Sequence, residues 1–256
     1  MIDIIIEPQY SLPLSFVFFF IAFIYSSVGL SGGSAYTALM AILGFDILTI
    51  PMITLSLNFF VSLVGSFNFL RNKNIKIKFV FPFLITSVPM AYFGGSLKVS
   101  NELFYWILLI SLIVVALRMY CMENIAFKLN LSSFQKKIIS LCAGALLGLI
   151  SGIVGIGGGI YLVPLIIILG LGNEKEAAAC GSVFILLNSI SGLISRFQYN
   201  SIDLTNYIPI IIAVLLGGFA GSFMGSFKFS VKAITKILGI VILIAIFFLI
   251  KKITGL

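Results

Sequence analysis

Histidine is missing from this sequence altogether, and cysteine is confined to Cys121, Cys142 and Cys180. The first absence removes the commonest metal ligand and the commonest general base. The three cysteines form no close-spaced pair, so neither a zinc spacing nor a disulfide framework is present. Charge is scarce as well. Only 9% of the residues are Asp, Glu, Lys or Arg, against about 25% in a soluble domain. So few charges cannot solvate a surface, and lipid must cover much of the molecule.

What fills the chain is apolar: 61% of its 256 residues are hydrophobic. No charged side chain occurs from Pro8 to Phe45, Ile47 to Leu70, Phe79 to Leu97, Ile138 to Asn173, Ala177 to Ser195, or Leu204 to Phe227. Leu103–Leu117 and Ile237–Ile250 are shorter clean runs. A membrane helix needs about 20 apolar residues. A transmembrane strand would alternate in polarity, which these runs do not. The expected class is an all-α polytopic protein of the cytoplasmic membrane. Met1–Glu7 carries Asp3 and Glu7 but no Lys or Arg. That is the reverse of a signal peptide's basic leader, so no cleavable signal is expected. The formal charge of +8 resides between the runs. Membrane orientation therefore explains it better than a nucleic-acid partner.

The sequence repeats itself. Val28-Gly29-Leu30-Ser31-Gly32-Gly33 resembles Val154-Gly155-Ile156-Gly157-Gly158-Gly159. Leu57-Asn58 matches Leu187-Asn188, Phe67 matches Phe197, and Gly95–Ser100 matches Gly225–Ser230. The same order in both copies implies internal duplication, with an N-terminal repeat over 1–130 and a C-terminal repeat over 131–256. Such repeats are common in secondary transporters.

The first run of each half is too long for one span. As a helix, Pro8–Phe45 would extend ~57 Å across a hydrocarbon core of about 30 Å. Gly29, Gly32 and Gly33 split it into Leu12–Leu30 and Ser34–Phe45, and Gly152–Gly159 splits its counterpart. If the short piece is a separate leg, each half has five segments and the second half is inverted. If long and short pieces form one broken span, the halves are parallel. The basic clusters at Arg71–Lys78, Arg118–Lys137 and Lys228–Lys236 all fall on one side in the inverted arrangement, which the positive-inside rule favours.

The breaks are the candidate site. Helices restarting at Ser34 and Ile160 present unsatisfied N–H groups at the positive end of a dipole, which suits an anion. Gly29, Gly32, Gly33, Gly155, Gly157, Gly158 and Gly159 let it approach the backbone, and Ser31, Ser34, Thr37 and Tyr161 offer hydroxyls. Tight helix packing is the competing explanation for the glycines. Asn58 and Asn188 lie mid-span at matching positions, suited either to substrate oxygens or to interhelical bonds. Arg196, after a long uncharged run, reads as snorkelling to the membrane edge.

The stretch Gly148–Pro164, Gly-Leu-Ile-Ser-Gly-Ile-Val-Gly-Ile-Gly-Gly-Gly-Ile-Tyr-Leu-Val-Pro, resembles the second-half signature of the TauE/SafE family of sulfite exporter-like permeases. Tyr25–Leu39 resembles its first-half copy, with Ser31 in place of a glycine and Ala38 where the second copy has Pro164. Asn188, the segment around Gly217–Ser226 and the overall length agree with it. The resemblance implies a permease for sulfite, an organosulfonate or a related small anion, with export the expected direction. It implies no cofactor or metal. Its partners would be the anionic substrate and the bilayer, with room for a homo-oligomer. An intramembrane enzyme is disfavoured because the carboxylates lie outside the runs or at their ends. A structural assembly protein is the other alternative.

Overall fold

The computed structural model describes residues 8–27, 30–71, 77–121, 131–199, 205–225 and 231–254. Gly29, one of the candidate site residues, lies outside them, as do residues 226–230 of the last repeat match. The described chain forms α1 (Pro8–Ser26), α2 (Gly33–Ile42), α3 (Thr49–Arg71), α4 (Ile77–Ser96) and α5 (Asn101–Cys121). There follow α6 (Ser133–Val154), α7 (Gly159–Ile168), α8 (Glu174–Tyr199), a 3-10 turn (Thr205–Tyr207), α9 (Ile208–Gly225) and α10 (Val231–Thr254). Among the described residues there are only helices, turns and loops. Among the described residues five helical segments are long and apolar enough to cross a membrane: Thr49–Asn68, Ile77–Ser96, Ser133–Val154, Glu174–Gln198 and Thr205–Phe223, the last including the 3-10 turn.

Polar residues mark where several helices start. Ser132 accepts from the Gln135 backbone while the Gln135 side chain accepts from the Ser132 backbone, a capping box opening α6. Asn173 and Glu176 make the same reciprocal pair before α8. Asp46 accepts from the Leu48 and Thr49 backbones at the head of α3. Between these ends the outer surface is apolar. Phe16, Phe67, Phe93, Phe219 and Phe247 are each more than half exposed, and Ile110 and Leu216 with them. A soluble monomer does not carry such a surface, and hydrocarbon is the solvent that tolerates it.

Between the spans, small residues bring backbones together. Along α6, Gly144, Gly148 and Gly152 meet the α4 backbone at Phe83, Ser87 and Ala91. Both helices advance four residues per contact in the same direction, so α4 and α6 are parallel. The pair α1 and α9 repeats this arrangement: Gly217 meets Phe19 and Gly221 meets Phe23. Here the glycines are on the other helix of the pair. Ser87 opposite Gly148 in one pair becomes Gly217 opposite Ala22 in the other. Gly152 was expected to open the second helix break. It lies inside α6, which continues to Val154, because its role is this close approach to α4.

Two further helix pairs run in opposite directions. In α3 and α8, Ser66 bonds Ser182 at 3.4 Å, while Leu55 lies against Gly192. In α5 and α10, Tyr120 lies against Gly239, and the Tyr105 ring is 5.1 Å from Lys252 Nζ. Each pair thus places an early residue beside a late one.

The short helices fold back. Phe18, two turns before the end of α1, stacks on Tyr36 in the first turn of α2 at 5.2 Å between ring centroids. A helix continuing onward would carry Tyr36 out of reach. Gly158 sits near the Leu147 carbonyl, two turns before the end of α6, and Gly172 after α7 reaches Phe79 at the start of α4. Both short helices therefore return alongside the long helix that precedes them. Gly32 and Gly158 head these helices with φ of 89° and 74°, a left-handed conformation that glycine adopts without strain.

These contacts distinguish two kinds of glycine, and substitution should separate them. A Cβ on Gly148 strikes the Ser87 backbone, which cannot yield, whereas one on Gly65 lies 3.7 Å from Ser182 Cβ, an ordinary contact. Gly148→Ala is expected to lower stability by about 1–3 kcal/mol. Gly65→Ala should be neutral or gain about 0.5–1 kcal/mol from helix propensity. Thermal unfolding in detergent micelles measures both.

Candidate functional site

The two breaks touch each other. A Cβ on Gly33 would lie 2.5 Å from the Ile156 carbonyl oxygen and 2.8 Å from Asn58 Oδ1. One on Gly157 would lie 3.0 Å from Asn58 Nδ2. Asn58 itself bridges the halves, its Nδ2 donating to the Gly155 carbonyl at 3.0 Å. Thr37 donates to the Val154 carbonyl at 3.4 Å, a second bond from the first half to the end of α6.

Around this junction is a pocket lined by Tyr25, Leu30, Ser31, Gly32, Gly33 and Ser34 from the first break, with Ile156, Ile160 and Ile185 opposite. It encloses about 190 Å³ with its open mouth included. Most of that volume is the open mouth, and the closed interior is about the size of one water molecule. Its walls are apolar apart from a few hydroxyls and backbone groups. Tyr25 Oη and Ser34 Oγ are hydrogen-bonded at 3.1 Å.

The electrostatics come from helix ends. Gly32 and Gly158 cap α2 and α7 without contributing a side-chain hydrogen bond. Ser31 to Thr37 and Gly155 to Ile160 are buried. The first N–H groups of a helix have no partner within it, and each N-terminus carries roughly half a positive charge. Two such ends, buried at one junction, form a donor-rich centre. The opposite end of α6 would oppose this with its negative pole, but Arg196 covers it. Arg196 Nε and Nη2 donate to the Gly152 carbonyl at 3.2 and 2.8 Å, and Nη2 donates to the Ile153 carbonyl at 2.7 Å. At 3% exposure this arginine is inside the bundle, so the snorkelling reading is overturned. The carbonyls at the end of α6 need a donor, and lipid provides none.

Not every candidate residue gathers at the pocket. Gly158 and Gly159 pack against Phe184 and Ile185. Tyr161 Oη donates to the Ser111 carbonyl of α5 at 3.1 Å, so its hydroxyl is committed to holding α7. Asn188 Nδ2 donates within α8, to the Phe184 carbonyl at 2.8 Å. Tyr25 and the isoleucines at 156, 160 and 185 were missed, being apolar or aromatic residues among many similar ones. Tyr25 carried one signal: it opens the first copy of the repeated motif. Among the described residues no cluster of His, Cys, Asp or Glu could hold a metal ion.

Arg196 makes its bonds through the geometry of a guanidinium fork, which one ammonium group cannot reproduce. Arg196→Lys should therefore leave a carbonyl of α6 unpaired and lower stability by about 1–3 kcal/mol. The midpoint of thermal unfolding in detergent checks this, and transport should fall with it.

Comparison with known proteins agrees with this architecture. The family described as sulfite exporter TauE/SafE matches residues 14–251. A probable membrane transporter protein of Sinorhizobium fredii is 34% identical over 209 residues, covering 80% of this chain and 84% of the relative. Another, from Methanocaldococcus jannaschii, is 31% identical over 221 residues, covering 80% of each. No solved structure matches the chain. A match to nearly the whole chain, with relatives aligned over four-fifths of their length, establishes that the chain belongs to the TauE/SafE family and is a multi-pass membrane transporter.

Proposed function

We propose that this protein carries a small anion, namely sulfite, an organosulfonate or a related sulfur-containing anion, outward across the cell membrane. The observation that carries this reading is the junction of two buried, uncapped helix N-termini from the two breaks. Backbone donors at a positive dipole end bind anions without any basic side chain. The description of the matched family as sulfite exporters supports the substrate class and the direction.

The halves over 1–130 and 131–256 are read as an inverted repeat with its twofold axis in the membrane plane. The opposed directions of α3 and α8, and of α5 and α10, support that reading. So does the folding back of α2 and α7, which makes five legs per half. Ten residues rise about 15 Å, half the hydrocarbon core, so α2 and α7 would start near the bilayer centre. Alternating access would then come from one half rocking against the other around the junction.

Membrane potential drives the export. Each charge moved is worth about 2.3 kcal/mol per 100 mV, and an anion leaving a negative interior moves downhill. In proteoliposomes with an imposed potassium-diffusion potential, labelled sulfite flux should follow the potential. Flux that ignores it and tracks an inward sodium or proton gradient would replace the exporter with a symporter. Gly33→Ala supplies the structural test. Its methyl must push Ile156 and Asn58 away, parting the two breaks, without a left-handed backbone to strain. Flux should drop roughly tenfold or more, the effect of losing about 1.4 kcal/mol, while membrane insertion and size-exclusion behaviour stay unchanged.

A further inference from the structure

The two helix N-termini do not face the pocket alike. Gly32, Gly33 and Ser34, at the head of α2, line it directly. Gly158 and Gly159, the matching residues at the head of α7, do not, whereas Ile185 of α8 does. The same Ile185 side chain lies against the second break. Its Cγ1 is 2.5 Å from where a Cβ of Gly159 would be, and its Cγ2 is 3.0 Å from that of Gly157. Gly159 is not one of the positive-φ glycines, so its backbone does not call for glycine. Ile185 takes the space a side chain there would fill.

The closed interior of the pocket, about the size of one water molecule, is too small for a sulfur oxyanion. A wall must yield for one to enter. The α2 wall is tied by the Tyr25–Ser34 hydrogen bond and by Gly33 packed on Asn58 and the Ile156 carbonyl. Ile156 and Ile160 belong to the second break, where the Val154 and Gly155 carbonyls are bonded to Thr37 and Asn58. Ile185 alone among the lining residues lies in the middle of a long helix, and its side chain can turn to another rotamer without moving any backbone. Resting on the anion-carrier reading above, we propose that Ile185 sets the size limit of the substrate. Its side chain fills the part of the site next to α7 and turns aside to admit the anion, and the room it frees is what the substrate must fit. Compact anions such as sulfite and methanesulfonate are accepted, and each further methylene is penalised.

The test is competition against labelled sulfite flux in proteoliposomes of the full chain, using methanesulfonate, ethanesulfonate and propanesulfonate. In the wild type, competition should weaken along the series. Ile185→Val removes Cδ1 and should improve ethanesulfonate relative to methanesulfonate about tenfold or more, the usual worth of one methylene in an apolar pocket. Ile185→Ala, which removes Cγ2 as well, should extend the gain to propanesulfonate. Leu187→Ala, on the exposed side of the same helix, should keep the wild-type ranking. An unchanged ranking in both Ile185 variants, with sulfite flux intact, overturns the inference and leaves the carrier reading standing. An equal shift in Leu187→Ala overturns it too, since any loosening of α8 would then suffice. Absence of sulfite flux in the wild type overturns both. Ile185→Val decides the matter even if Ile185→Ala fails to insert.

Discussion

Inside hydrocarbon every backbone N–H and C=O must find a partner within the protein. This protein breaks two helices in its interior, and most of its unusual features follow from how the broken ends are satisfied. The carbonyl end of α6 is closed. Arg196 takes the Gly152 and Ile153 carbonyls, Asn58 takes Gly155, and Thr37 takes Val154. The amide ends of α2 and α7 are headed by glycines and receive no side-chain cap. Donors thus cover the negative pole of α6, while two positive poles stay free of side-chain caps.

Two kinds of glycine make this possible. Those heading α2 and α7 let the chain turn back on itself within about four to six residues. Those within α6 and α9 let neighbouring helices approach to backbone contact, with Gly148 on Ser87 and Gly217 on Phe19. In lipid there is little hydrophobic drive between helices, so such close packing does much of the work of association. The α4–α6 and α1–α9 pairs share the close contact, with the glycines on α6 in one and on α9 in the other. The packing explanation of the glycines therefore holds within α6 and α9, while those heading α2 and α7 serve the turns.

Much of this was legible from composition and pattern. Uncharged runs and scarce charge defined a helical membrane protein, because hydrophobic length and charge placement are properties of the chain itself. The breaks were legible too, since Pro8–Phe45 exceeds one span and its glycines show where it must turn. Tertiary structure decided what the sequence left open. Whether α2 continues or returns depends on which surface it packs against, and Phe18 on Tyr36 is a contact no local pattern encodes. Arg196 read as a surface residue because its partners, the carbonyls of Gly152 and Ile153, are backbone atoms more than forty positions away. Asn58 became a bridge between the halves, and not merely a polar residue mid-span, only once Gly155 from the other half engaged its amide. Spans follow from local transfer free energy, which the sequence carries directly. The partner of a buried polar group follows from packing between distant segments, which it does not.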